Sequence, residues 1–213
     1  MILLYFINSR SFFLMENDIE ILVNKENKID EFYKIGKLVE PKEFIHKDCV
    51  FDESENEILV DERVYIAFKE MDEFVRKSGY KVFIDSGFRS FKYQMYILEM
   101  YREKYGKEKG ERLCAYPGES EHQLGLAIDL GFEDEDGNYI SSITEDSNVF
   151  EVLKNNSYKF GFILRYMKGK EEITKYNFEP WHYRFVGKRL AKILYENDIC
   201  LEEYYDNILK YND

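Results

Sequence analysis

A chain of 213 residues with 45% hydrophobic side chains can bury a sizeable core within one domain. Its formal net charge of −12 and isoelectric point near 4.9 exclude the basic face that a nucleic-acid partner demands, and they offer nothing to an anionic membrane surface. A small or neutral substrate is the easier fit.

The N-terminal stretch Ile2-Leu3-Leu4-Tyr5-Phe6-Ile7 is apolar, but it lacks a basic leader, is broken by Asn8-Ser9-Arg10 and is followed by no small-residue cleavage site. No segment is long enough to span a bilayer, so no transmembrane segment is expected. Met15 is a second candidate start; for the chain as written a cytoplasmic protein is the expectation, with export the alternative if the N-terminal leader is mis-annotated or incomplete.

Residues 19–23 read as a short strand and residues 24–30 as a polar turn. Residues 39–51 show little periodicity and predict an irregular arm wrapping the domain. His46 lies in this arm beside Lys47 and Asp48, where a solvated surface residue is expected. Asp61 caps a helix to about Ser78, in which Val64, Tyr65, Phe68, Met71, Phe74 and Val75 recur at helical spacing and Gly79 is the stop. Residues 80–85 form a strand that ends at Ser86-Gly87-Phe88-Arg89. An amphipathic helix over residues 90–105 follows, capped by Ser90 and carrying Gln94 one turn beyond its start, with residues 104–112 as a charged, solvated continuation.

Tyr116-Pro117-Gly118 makes a turn that delivers the segment from Ser120 to Asp129. The segment 134–138 has acidic residues spaced as in a calcium loop. A hairpin is the better reading, because Asp-Gly lies between strand-like residues 127–132 and 139–140, and the apolar Ile140 and Ile143 fall among the expected ligands. A short helix over 147–156, a turn into strand over 160–166, a strand over 183–186 and helices over 187–197 and 202–211 complete the chain. Cys49, Cys114 and Cys200 are odd in number and widely spaced, which predicts ordinary reduced thiols. Trp181, the only tryptophan, is expected to pack and orient its neighbours.

The chemistry concentrates in Ser120-Glu121-His122-Gln123-Leu124-Gly125-Leu126-Ala127-Ile128-Asp129 and in Glu179-Pro180-Trp181-His182, which together contain two of the three histidines. Catalytic zinc is usually held by three ligands drawn from His, Asp, Glu and Cys, with a fourth position left to water. His122, Asp129 and His182 supply such a set, and Glu179 is the adjacent base. Because strand side chains alternate faces, an offset of three residues cannot put Glu179 and His182 on one face of a regular strand. A bend at Pro180 is therefore expected to turn both into one cleft.

Ser-x-His-x-x-Gly-x-Ala-x-Asp followed by Glu-x-Trp-His resembles the signature of the zinc D,D-carboxypeptidase and D,D-dipeptidase family of cell-wall metabolism, which includes the VanX, VanY and VanXY enzymes. The similarity extends upstream to Ser86-Gly87-Phe88-Arg89-Ser90 and Gln94, so it covers roughly residues 61–187. It implies a zinc cofactor and a peptidoglycan precursor or stem peptide ending in D-Ala as substrate. It also implies that Arg89 sits where charge develops on the tetrahedral oxygen, with Ser120 and Gln94 as donors for the terminal carboxylate. Without the family pattern, a surface salt bridge is the preferred reading of Arg89. Phe88 is a departure, since relatives often carry Tyr there. The implied fold is a single α+β domain of the hedgehog and D,D-peptidase type, with helices flanking a mostly antiparallel sheet. Residues 1–60 form an N-terminal extension on a catalytic domain over residues 61–213. Two alternatives stay open: an L,D-carboxypeptidase acting on tetrapeptide stems, and a non-enzymatic zinc-containing binding module, which has no need of Glu179 or Arg89.

Overall fold

The structure, a computed structural model, describes residues 18–49 and 57–211; the apolar stretch before Asn8 lies outside them. The described chain opens with a 3-10 turn at Asp18–Glu20, where a strand over residues 19–23 was expected. The cause is a buried side chain. The Nη2 of Arg184 donates to the carbonyls of Ile19 (3.0 Å) and Ile21 (2.9 Å), so these acceptors are satisfied without a neighbouring strand.

The arm that follows is more ordered than its composition suggests. Strand β1 (Leu38–Val39) pairs antiparallel with β2 (Val60–Asp61), and a 3-10 turn at Lys42–Phe44 buries Phe44. His46 is buried at 8% exposure, which corrects the solvated placement expected for it. Its ring stacks on Tyr139 with centroids 4.3 Å apart and meets Phe83 edge-on, so the imidazole serves as an aromatic plate under the hairpin.

Asp61 accepts from the Arg63 amide at 2.9 Å and caps α1 (Glu62–Lys77), which ends before Gly79 at φ +89°. Val64, Phe68, Met71 and Val75 form its buried stripe, each at 1% exposure or less. Burying such side chains contributes about 1.5–3 kcal/mol apiece. Strand β3 (Lys81–Ser86) leads to α2 (Phe91–Tyr105), capped by the Ser90 hydroxyl through the Tyr93 amide. The charged continuation is a separate helix, α3 (Lys107–Leu113), because Gly106 at φ +81° turns the chain. The α3 helix folds back on α2, where a Cβ at Gly110 would lie 2.7 Å from the Tyr101 backbone.

Strand β4 (Ala127–Glu133) and β5 (Tyr139–Ile140) form the expected hairpin. Asp134 Oδ1 accepts from the amides of Asp136 and Asn138 within the hairpin turn, while the Glu145 carboxylate pairs with Lys168. Then come α4 (Asn148–Asn156), β6 (Phe162–Leu164), α5 (Glu171–Thr174), β7 (His182–Phe185), α6 (Gly187–Asn197) and α7 (Leu201–Tyr211).

The main sheet has the order β3-β4-β7-β6, with β5 also pairing β4, and every pairing is antiparallel. Its inward residues Val82, Ile84, Ile128, Leu130 and Tyr183 pack on α1, α4 and the arm residues Ile19, Val23, Ile29 and Phe44 in one α+β core. A smaller cluster of Ile163, Val186, Leu190, Leu194 and Leu201 seats α6 and α7. The three cysteines are free thiols.

Candidate metal centre

The register of two adjacent strands builds half of the site. Asp129 on β4 lies opposite His182 on β7, and a bulge between Ile84 and Ser86 places Ser86 on its other side. His122 comes from a 3-10 turn at Glu121–Leu124 that closes on Gly125 at φ +72°, and the chain enters β4 directly from there. One ligand atom each from His122, Asp129 and His182 lies within 4.8 Å of the others. Asp129 Oδ1 is the shared focus, 2.9 Å from His182 Nδ1 and 3.4 Å from His122 Nε2.

The orientation of His122 is set by a carbonyl. Its Nδ1–H donates to Gly87 O at 2.7 Å, which leaves the Nε2 lone pair facing Asp129. Gly87 can present that carbonyl because it lies close against the chain entering β2; a Cβ there would lie 2.2 Å from Leu59 O. The turn before the site is equally constrained. Gly118, at φ +91°, passes Ile29 O so closely that a Cβ would sit 2.4 Å from it.

The bend expected at Pro180 is present. The His182 amide donates to Glu179 O at 3.2 Å, and Glu179 Oε2 lies 3.9 Å from His182 Nδ1. Both side chains line one cleft of about 490 Å³, together with Ser86, Gly87, Arg89, Gln94, Ser120 and Trp181. Trp181 also packs on the core and accepts the Leu130 amide at its carbonyl, in keeping with a packing role.

Burial and charge shape the titration of the group. Burial pushes the Glu179 carboxyl up to about 7, with the Asp129 charge adding to it and His182 opposing. Burial also lowers His122 to about 4, with the Arg89 charge assisting. For His182 burial acts downward, but the Asp129 and Glu121 carboxylates facing its two nitrogens outweigh it and raise the imidazole to about 9. Asp129 is desolvated as well, yet the two imidazoles hold it well below the ordinary carboxylate range.

These residues fit a zinc ion. Two ring nitrogens and an ionised carboxylate face one small space at the floor of an open cleft, which is the donor set and access of a catalytic site. His122 Nε2, Asp129 Oδ1 and His182 Nδ1 would hold the metal.

Arg89 lines the cleft. It forms an ion pair, with Nη2 3.0 Å from Asp129 Oδ2, but it does so inside the cleft, braced by Ser86 Oγ at 3.2 Å. Ser120 is nearly buried and makes no capping hydrogen bond, so its side chain is not consumed by the turn it begins. Gln94 differs from the expected donor: its Nε2–H is engaged by Ala115 O at 2.9 Å, and its buried Oε1 has no hydrogen-bond partner among the described residues.

The sequence reading missed a charged network beneath the ligands. Glu121 Oε1 accepts from Arg165 Nε (2.8 Å) and Arg184 Nη1 (2.9 Å), and Arg165 makes a two-pronged pair with Glu202 at 2.8 and 2.6 Å. Both arginines are fully buried. The available signal was a cation inside each of two apolar strand runs, Phe162 to Tyr166 and Tyr183 to Val186, where an unpaired charge would be costly.

An open site of two imidazoles and one carboxylate, with a second carboxylate beside it, has the arrangement of a hydrolytic metal centre rather than of a closed structural zinc site. The family model described as "VanY: D-alanyl-D-alanine carboxypeptidase" matches residues 57–188. YodJ of Bacillus subtilis (strain 168) is 39% identical over 194 residues, covering 89% of this chain and 67% of YodJ. The structure of the LD-carboxypeptidase LdcB superposes with a TM-score of 0.77 at 33% identity, covering 95% of this chain and 92% of that one. A mutant of the vancomycin-resistance D,D-pentapeptidase VanY from a VanB-type cassette, solved in complex with Zn(II), gives a TM-score of 0.71 at 33% identity, covering 88% and 98%. The chain belongs to the VanY family of D-alanyl-D-alanine carboxypeptidases.

Proposed function

We propose that this protein is a zinc metallopeptidase that hydrolyses the C-terminal D-Ala-D-Ala bond of a peptidoglycan precursor or stem peptide, with the free dipeptide as a further candidate substrate. The observation that carries the reading is Glu179. A structural metal site has no use for a second carboxylate beside its ligands, poised near neutrality and 3.9 Å from a ligand nitrogen. Bound in this pocket, zinc would acidify a water and polarise the scissile carbonyl.

The chain supplies the remaining steps. With its carboxyl raised to about 7, Glu179 can take the proton of the attacking water and return it to the leaving amine at neutral pH. Arg89 is anchored by Asp129 and Ser86 at the cleft edge, where its guanidinium stabilises charge on the tetrahedral oxygen. Ser120 donates its hydroxyl to the terminal carboxylate. Gln94 lines the same cleft, with its amide N–H held by Ala115 O.

The likeness to LdcB favours a second reading, an L,D-carboxypeptidase acting on tetrapeptide stems. Mass-spectrometric product analysis separates the two. Zinc-loaded protein and its Glu179→Ala variant are incubated with D-Ala-D-Ala, a pentapeptide stem and a tetrapeptide stem. Loss of one D-Ala from the pentapeptide by the wild type alone supports the D,D assignment. Cleavage restricted to the tetrapeptide supports the L,D assignment, and no cleavage of any with zinc stoichiometrically bound overturns both.

A further inference from the structure

We infer that Glu121 is a positioning residue that fixes the ring of His182 so that Nδ1 faces the metal. The inference rests on the zinc reading of the site. Three geometric observations carry it.

First, His182 points its two nitrogens at two different carboxylates. Nδ1 lies 2.9 Å from Asp129 Oδ1, and Nε2 lies 3.5 Å from Glu121 Oε2 on the far side of the ring. Second, those two far-side atoms are both buried, and neither has a hydrogen-bond partner among the described residues within ordinary geometry. Each is the evident complement of the other. A carboxylate oxygen can only accept, so Glu121 requires the proton on Nε2 and leaves the lone pair on Nδ1. Third, Glu121 cannot swing away. Its other oxygen is clamped by Arg165 and Arg184, and Arg165 is clamped in turn by Glu202 of α7.

The two arginines also explain how a carboxylate can sit here without competing for the metal. Within the buried group, Glu121 and Glu202 are offset by Arg165 and Arg184, so the carboxylate is a hydrogen-bond acceptor rather than an uncompensated charge. The one turn thus serves two of the three ligands: Glu121 orients His182, and its neighbour His122 is itself a ligand. Carboxylates in this supporting position typically contribute ~10–100-fold in metal affinity.

The test compares two isosteric changes in the same network. In Glu121→Gln, the amide oxygen takes over the two arginines and the amide NH₂ faces Nε2, which favours the proton on Nδ1 where the metal must bind. Glu202→Gln disturbs the same arginine, but it does not touch His182. Zinc affinity is measured by competition with a chromophoric chelator, alongside circular dichroism. The expected result is a loss of ~10–100-fold for E121Q with its fold retained, and little change for E202Q. Equal losses in both variants, or E121Q binding zinc as wild type does, would overturn the inference.

Should E121Q fail to fold, the wild type provides a second readout. Two-bond ¹H–¹⁵N spectra of the zinc-loaded protein, simplified by only three histidines, should show His182 protonated at Nε2 and His122 protonated at Nδ1. A His182 ring without an Nε2 proton refutes the positioning role. These readouts do not depend on turnover: a protein that shows the expected tautomers but cleaves none of the stem peptides refutes the proposed reaction and leaves the role of Glu121 standing.

Discussion

Replacing Gly87 by alanine should uncouple the metal site without touching a ligand. The backbone at Gly87 has no left-handed φ, so alanine is conformationally allowed there, and the whole effect comes from space. The added Cβ would lie 2.2 Å from Leu59 O, 3.0 Å from Val60 Cγ1 and 3.2 Å from Ile58 Cγ2. Relieving the backbone contact requires a shift on the order of 1 Å, since carbon and oxygen need about 3.4 Å. That movement breaks the 2.7 Å hydrogen bond from His122 Nδ1–H to the Gly87 carbonyl. Overpacking typically costs about 1–3 kcal/mol and a stranded buried partner about 1–3 kcal/mol more, while the stiffer unfolded chain returns about 0.4–1 kcal/mol. The expected net destabilisation is about 2–4 kcal/mol, or roughly 4–16 °C in melting temperature for a domain of this size. Zinc affinity should fall ~10–100-fold, because His122 loses the partner that fixes its ring. Thermal unfolding of the metal-free protein and chelator competition measure the two effects. A G87A protein that melts within 1 °C of wild type and keeps its zinc affinity would refute the argument that this carbonyl sets the ligand.

Other consequences are testable in the same preparations. Arg89→Ala should lower kcat by ~10²–10³ with zinc still bound, because the lost guanidinium contacts the outer oxygen of Asp129 rather than the metal-facing one; unchanged turnover would remove Arg89 from the reaction. His182 in the metal-free protein is raised to about 9, so at pH 7.5 it carries a proton that zinc must displace. Calorimetric zinc titrations in two buffers of different ionisation enthalpy should therefore report release of about one proton, and release of none would contradict the environment described. The same shift predicts a metal-free protein whose stability from His182 is full below its unfolded pKa and fades as pH rises through about 9, measurable by urea unfolding at pH 6 and 9.5. Arg184→Met should destabilise by about 3–5 kcal/mol, since it leaves Glu121 short of a buried partner and frees the carbonyls of Ile19 and Ile21; a change under 1 kcal/mol would show that the network is not stabilising.

How much of this was legible in advance depends on how far apart the interacting residues lie. The helix beginning after Asp61, the helix capped by Ser90 and the hairpin at Asp134 are specified by neighbours within a few positions, and all three form where the pattern placed them. The break at Gly106 was missed because a run of charged residues reads as one solvated helix, and only the return of α3 onto α2 requires a turn there. His46 was misplaced for a similar reason: its polar neighbours suggest solvent, whereas its burial is created by Tyr139, ninety-three positions later.

The sequence by itself determined the local elements, the α+β class and the identity of the groups able to hold a metal, because spacing, capping and donor chemistry are carried by residues close along the chain. Tertiary structure alone decided which atoms those groups present. The carbonyl of Gly87 selects the free nitrogen of His122, and Ala115 O holds the amide N–H of Gln94. Across 44 to 63 positions, Arg165 and Arg184 make a buried charge at Glu121 tolerable beside His182. The physical reason is that a hydrogen bond or a buried charge has no fixed value in a sequence; its direction and its cost are set by the partner that folding brings to it.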